Sequence, residues 1–183
     1  MSMGFPVRIA ICDDEVIYRE SLKTECRMFF TEYSHESLWP GVAEISEFST
    51  GRELIASDHD YDILFLDIEM PGQDGISVKE YFAEYHEKTR VIFMTCHDER
   101  VMEAFGKNVV SFLVKPLNSK AFRKVLKKTL DDICGRVLEL EENGEPLIIP
   151  VRQIKYIEAT EKYRMAVMES KIYLLRRTMT LLE

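Results

Sequence analysis

Hydrophobic positions in the first three quarters of the chain fall into short solid runs separated by stretches of helical period. The runs Val7–Cys12, Ile63–Asp67, Arg90–Thr95 and Val109–Val114 have the length and continuity of strands buried on both faces. Ala43 to Phe48 alternates instead, which predicts a further strand. Between them, Leu22, Cys26, Phe29, Phe30 and Tyr33 recur at helical spacing on one face. Ser49-Thr50 ahead of Gly51-Arg52-Glu53-Leu54 predicts a helix start, with Thr50 capping and Glu53 completing a capping box. Asp74-Gly75 opens a helix expected to run to about Lys88, and Glu99 to Phe105 forms a short helix ended by Gly106. Asn118 or Ser119 caps a last helix to Cys134 whose Lys120, Arg123, Lys124, Lys127 and Lys128 make a basic side. Five strand-then-helix units in alternation predict an α/β fold, a parallel sheet covered by helices on both faces.

Beyond Gly135 the rhythm changes. Arg136–Glu141, Pro146–Pro150, Ile154–Glu158, Tyr163–Met168 and Ile172–Leu175 are short strand-like runs, with turns such as Asn143-Gly144 and Glu169-Ser170 between them. Only Thr178 to Leu182 suggests a helical period. The expected organisation is therefore a domain over residues 6–134 followed by an antiparallel all-β segment over 136–183. A segment that short, without disulfides or metal, has a marginal core by itself, so it is expected to be an incomplete domain.

Charge supports the division. Residues 136–183 carry eight basic and eight acidic groups, so the whole net charge of −8 lies in the first 135 residues. An acidic chain with a pI near 5.2 disfavours a nucleic-acid surface spread over its full length. Cys12, Cys26, Cys96 and Cys134 are scattered, with no C-x-x-C pair, as expected of reduced thiols in a cytoplasmic protein. No apolar run is long enough to span a bilayer and no signal-peptide pattern opens the chain, so no membrane partner is expected. Met3 is expected to be the natural start, with Met1-Ser2 an addition. Asp58-His59-Asp60-Tyr61-Asp62 could suggest a metal clip, but a solvated connecting loop is the expected reading.

Chemistry gathers at the strand ends. The acids Asp13 and Asp14 follow the first strand; Asp67, Thr95 and Lys115 end the third, fourth and fifth. In a parallel sheet all carboxyl ends share one rim, so residues distant in sequence converge there. Three carboxylates this close raise one another's pKa unless a cation sits among them, and hard oxygen ligands suit Mg²⁺. With Lys115 as a fixed positive charge and Thr95 as a hydroxyl donor, the set suits phosphoryl transfer onto a carboxylate.

The acid pair, Asp67 followed by Met70-Pro71-Gly72-x-Asp74-Gly75, Thr95, and Lys115-Pro116 together resemble the receiver domain of bacterial two-component response regulators. The resemblance covers roughly residues 6–134. It implies a doubly wound, flavodoxin-like sheet of order 2-1-3-4-5. It further implies Asp67 as phosphoacceptor from a sensor histidine kinase, with Mg²⁺ held by Asp13, Asp14, Asp67 and the Glu69 main-chain carbonyl. Lys115 would pair with phosphoryl oxygens, and the bond from Lys115 to Pro116 would be cis. Thr95 would move in, Phe112 would turn inward, and the face made by the fourth helix, fifth strand and fifth helix would then favour a homodimer. Such a protein is a switch rather than an enzyme, catalysing only its own phosphotransfer and dephosphorylation. Cys96 stands where the family has a smaller residue, so slower labelling by small phosphodonors is expected. Glu69 and His97 occupy positions that tune acyl-phosphate lifetime in the family.

The tail carries a second resemblance. Glu141–Gly144, Ile148–Pro150, Ile154–Ala159, Tyr163, Tyr173–Arg177 and Thr178–Leu182 look like the opening half of a LytTR DNA-binding domain. That likeness implies DNA as a partner of the complete effector, with Lys162 and Arg164 as phosphate contacts and transcription as the output. Specific DNA binding by this chain alone is not expected. Two other classes stay open. Leu66-Asp67-x-Glu69 is similar to the nucleophile motif of haloacid-dehalogenase-like phosphatases, although those place it on the first strand. A receiver acting only through protein–protein interaction is the other.

Overall fold

The computed structural model describes residues 6–33, 43–72, 74–96, 104–134, 137–142, 145–151, 154–159, 164–168, 172–175 and 181–182. Strands β1 (Val7–Cys12), β2 (Ala43–Phe48), β3 (Ile63–Asp67), β4 (Arg90–Thr95) and β5 (Val109–Val114) form one parallel sheet in the order β2-β1-β3-β4-β5. Burial follows that order. Every residue of central β3 is buried, whereas the edge strands β2 and β5 are mostly half-buried.

Period-two alternation sends side chains to two separate cores. Ile9, Ile11, Phe65, Ile92 and Met94 meet Leu22, Cys26, Phe29 and Phe30 of α1 (Val16–Tyr33) and Phe122, Leu126 and Leu130 of α4 (Ser119–Cys134). Ala10, Cys12, Leu64, Leu66 and Phe93 meet Leu54 of α2 (Gly51–Ala56) and Val78 and Phe82 of α3 (Gly75–Tyr85). Each fully buried Leu, Ile or Phe contributes about 1.5–3 kcal/mol. Together these layers hold the strand ends in fixed register.

The helix starts are set by local chemistry. Thr50 Oγ1 accepts from the Glu53 amide at 3.2 Å, but the Glu53 carboxylate bonds the amide and hydroxyl of Ser49, at 3.0 and 2.9 Å. The reciprocal bond of the capping box thus shifts back by one residue. Asn118 caps α4 through its Oδ1, 3.0 Å from the Ala121 amide.

Two expectations need adjustment. Helix α3 ends at Tyr85 rather than near Lys88, because His86 leaves helical geometry and Thr89 closes a turn back onto its carbonyl at 2.9 Å. Leu181–Leu182 is a strand, β11, not the end of a helix: it pairs with Leu138 and Val137 and so satisfies backbone groups along one side of that neighbour. The proposed helix between Glu99 and Phe105 lies largely outside the described residues. Asp58–Asp62 is a connecting loop: Asp62 accepts from the Arg8 amide at 2.8 Å and Asp60 pairs with His86 at 2.8 Å.

The tail forms two further antiparallel sheets. One contains β6 (Val137–Glu142), β7 (Glu145–Pro150) and β11. The other contains β8 (Tyr156–Ala159), β9 (Arg164–Val167) and β10 (Ile172–Leu175).

Candidate functional site

Cys12 pairs in register with Leu66, so the next residue of each strand, Asp13 and Asp67, stands side by side on the sheet rim. This lies where the strand order reverses, the crevice in which open α/β sheets hold their ligands. Lys115 follows β5, and its amide bonds the Thr95 carbonyl at 2.8 Å. From there its long stem reaches past β4. The ammonium lies 2.9 Å from Asp67 Oδ2 and 2.7 Å from Asp13 Oδ2, with all three side chains buried. The peptide bond from Lys115 to Pro116 is cis.

Backbone donors complete the carboxylates' company. The Glu15 amide donates to Asp13 Oδ1 at 2.9 Å and the Glu69 amide to Asp67 Oδ1 at 3.3 Å. Burial pushes the Asp67 carboxyl above its ordinary value, and the neighbouring Asp13 charge adds to this; Lys115 and the Glu69 amide offset only part. For Lys115, burial acts to lower the pKa, but its bonds and charge interactions with Asp13 and Asp67 prevail and raise it. The Cys12 thiol, buried beside these acids, is pushed up to about 12 and contacts Met70 Sδ at 3.6 Å; it is an inert packing group.

The loop after β3 follows from its motif. Gly72 takes a φ of 82°, a left-handed conformation that glycine adopts without steric cost. Asp74 caps α3, its Oδ1 accepting from the Ile76 amide at 3.0 Å. Gly75 leaves no room for a side chain: a Cβ there would strike the Asp67 carbonyl and come within 3.0 Å of Ile68 Cα. Helix α3 can therefore begin directly against the Asp67 main chain. An open cleft of about 410 Å³ lies beside it, lined by Asp14, Glu15, Ile68, Glu69, Met70, Pro71 and Asp74.

Of the predicted rim residues, Asp13, Asp14, Asp67 and Lys115 come together. Thr95 is buried at the end of β4. Phe112 is half-buried, stacked on Phe93 at 5.7 Å and leaning on Phe105 at 5.2 Å. Lys162 and His97 lie outside the described residues, and of Arg164 only its backbone place at the start of β9 is described. Two α1 residues at the site escaped the sequence reading. Arg19 Nη1 bonds the carbonyls of Asp13 and Asp14, at 2.5 and 3.1 Å. The Tyr18 ring lies against the Lys115 ammonium, 4.2 Å from ring centroid to Nζ. The available signal was their place in the first turn after the acid pair, since helical side chains lean back toward the amino end.

Asp13, Asp14 and Asp67 offer carboxylate oxygens within 4.8 Å of one another, the sole such group among the described residues. These three acids share the rim with the Lys115 ammonium and, at the Asp13 and Asp14 carbonyls, the Arg19 guanidinium. Asp13 Oδ2 is buried with the Lys115 ammonium 2.7 Å away. A hard divalent cation fits this donor set.

The class of protein is a doubly wound α/β sheet whose acidic rim encloses the buried Lys115 ammonium. Comparison with known proteins makes the assignment definite. The family model for the response regulator receiver domain matches residues 9–127, and the chain belongs to that family. It is 35% identical over 122 residues to the positive alginate biosynthesis regulatory protein of Pseudomonas aeruginosa, covering 67% of this chain and 46% of that one. It is 27% identical over 169 residues to the transcriptional regulatory protein BtsR of Escherichia coli, covering 90% of this chain and 63% of that one. The chain thus spans from about half to just under two thirds of these relatives. Among solved structures it is similar to the response regulator protein TrrA of Thermotoga maritima in complex with Mg²⁺-BeF, with a TM-score of 0.55 and 26% identity over 68% of this chain and 99% of that one.

Proposed function

We propose that Asp67 accepts a phosphoryl group from the phosphohistidine of a sensor kinase, and that this charge change is the input of a switch. The observation carrying this reading is the Lys115 ammonium held between Asp67 and Asp13 at 2.9 and 2.7 Å on the rim of a buried strand. In the reaction an Asp67 carboxylate oxygen forms the new bond to phosphorus as the P–N bond to the kinase histidine breaks, and that nitrogen leaves with the bonding pair. Lys115 and the Glu69 amide stand where they can donate to the transferring oxygens. Mg²⁺ bound by Asp13, Asp14, Asp67 and the Glu69 main-chain carbonyl would neutralise charge on those oxygens. The metal-bound TrrA structure and the three clustered acids of this site favour that ion.

Phosphate at Asp67 would draw in Thr95 and shift the packing of Phe112. Phe105, Val110 and Val114, all exposed around Phe112 and edge strand β5, give that face an apolar surface on which a second copy would dock. Residues 136–183 are then the opening part of a LytTR-type DNA-binding module, joined to a receiver spanning 6–134. The BtsR alignment covers 90% of the chain and so continues past the receiver into the tail, which favours this division. Transcriptional control belongs to the complete effector, in the cytoplasm. No helix among the described residues is long and apolar enough to cross a membrane.

The test is incubation with acetyl phosphate with and without Mg²⁺. Labelling that needs the metal is expected; labelling of equal rate in EDTA would contradict the arrangement of the three acids.

A further inference from the structure

We infer that Tyr18 is a positioning residue for Lys115: its ring face anchors the ammonium and keeps water from the side that the two carboxylates leave open. The inference rests on the reading of Asp67 as phosphoacceptor and deepens it. An ammonium has three N–H groups. Asp67 Oδ2 and Asp13 Oδ2 lie 2.9 and 2.7 Å from Nζ, and the Tyr18 ring lies 4.2 Å from it. The Lys115 side chain is only 2% exposed, so this ring stands where solvent would otherwise solvate the cation. An ammonium facing an aromatic ring is attracted by the ring quadrupole, more strongly where both are desolvated. Tyr18 is fixed in turn by the first turn of α1, where its amide bonds the Glu15 carbonyl at 3.1 Å. Glu15 itself anchors Asp13 through its amide, so the ring, the lysine and the acid are braced by one short segment.

The consequence concerns the rate of phosphotransfer. Lys115 sits on a stem with four rotatable methylenes, and each turn of that stem away from Asp67 costs transition-state stabilisation. A ring that confines the ammonium raises the fraction of molecules ready to receive the phosphoryl oxygens. The hydroxyl of Tyr18 is not needed for this; the aromatic face is.

The experiment compares wild type, Tyr18→Phe and Tyr18→Leu in the full chain, by the rate of acetyl phosphate labelling with Mg²⁺ and by NMR of the Lys115 side chain in untreated protein. Tyr18→Leu is expected to slow labelling about tenfold and Tyr18→Phe to stay within about twofold of wild type. The Lys115 methylene protons next to Nζ are expected to be shifted upfield by the ring in wild type and Tyr18→Phe, and to lose that shift in Tyr18→Leu. Labelling of Tyr18→Leu at the wild-type rate would overturn the inference while leaving Asp67 as phosphoacceptor. Tyr18→Phe as slow as Tyr18→Leu would overturn it too, since the hydroxyl would then be the active part. If Tyr18→Leu does not fold, an unshifted Lys115 signal in wild type decides against the ring on its own. Failure of wild type to label at all strikes instead at the assignment of Asp67.

Discussion

The parallel sheet and the antiparallel tail handle the same problem, ordering short strands, in opposite ways. In the first unit both faces of the sheet are covered, and two separate cores carry fully buried residues from all the central strands. In the tail the described core cluster consists of Leu138 and Ala166 with Ile154 and Tyr173 against it, while Tyr156, Ile157 and Ile172 are exposed. Strand direction matters as much as burial. Parallel strands bring every carboxyl end to one rim, so Asp13, Asp67 and Lys115 meet although they come from three strand ends, with Thr95 ending the strand between the last two. Antiparallel neighbours alternate their ends, and no such set gathers among the described residues of the tail. Rigid chemistry therefore lives in the first unit, and the tail offers surface.

The largest effect that would sharpen this contrast comes from the core. Phe65→Ala is expected to destabilise the chain by about 3–5 kcal/mol, because the ring packs against Phe122 and leaves a cavity. Tyr156→Ala in the tail is expected to change stability by no more than about 0.5 kcal/mol. Urea unfolding of both variants checks the pair, and equal losses would break the comparison. Next comes Gly75→Ala, which must push α3 off the Asp67 carbonyl and is expected to cost about 1–3 kcal/mol, together with much of the labelling rate.

A smaller effect should carry the opposite sign. The folded chain raises the Asp67 pKa above its ordinary 3.8, so native protein binds that proton more tightly than unfolded protein does. The stability tied to the protonated group is full below the ordinary value and is lost as pH rises through the raised one. Asp67→Asn is therefore expected to melt higher than wild type at neutral pH in EDTA, with the gain vanishing as pH falls below the carboxylate range. A melting temperature unchanged or lowered at pH 7 would contradict the electrostatic account. Smallest is Cys96→Ala, expected to label a little faster with acetyl phosphate if the exposed thiol crowds the entrance.

Much of the rim was legible because its logic is one of strand ends. Solid apolar runs closed by Asp13, Asp67, Thr95 and Lys115 required no knowledge of distances. Turn chemistry was legible too: Gly72, Asp74 and Gly75 each fill a backbone role that other residue types serve poorly. What the pattern hid were contacts made across elements. Tyr18 meets Lys115 only because α1 and the end of β5 are brought together by the sheet. Lys79 is buried on α3, where its charge suggests an exposed face, since its stem packs beside Gly106, which has no side chain. Leu181–Leu182 is too short for periodicity to separate strand from helix, and pairing with β6 decides it.

The identity of the carboxylate that takes the phosphoryl group decides how this rim works. Intact-mass spectrometry of wild type and Asp67→Asn after acetyl phosphate and Mg²⁺ measures this directly. Wild type should gain the mass of a single phosphoryl group and Asp67→Asn none; equal gain in both would contradict the central claim.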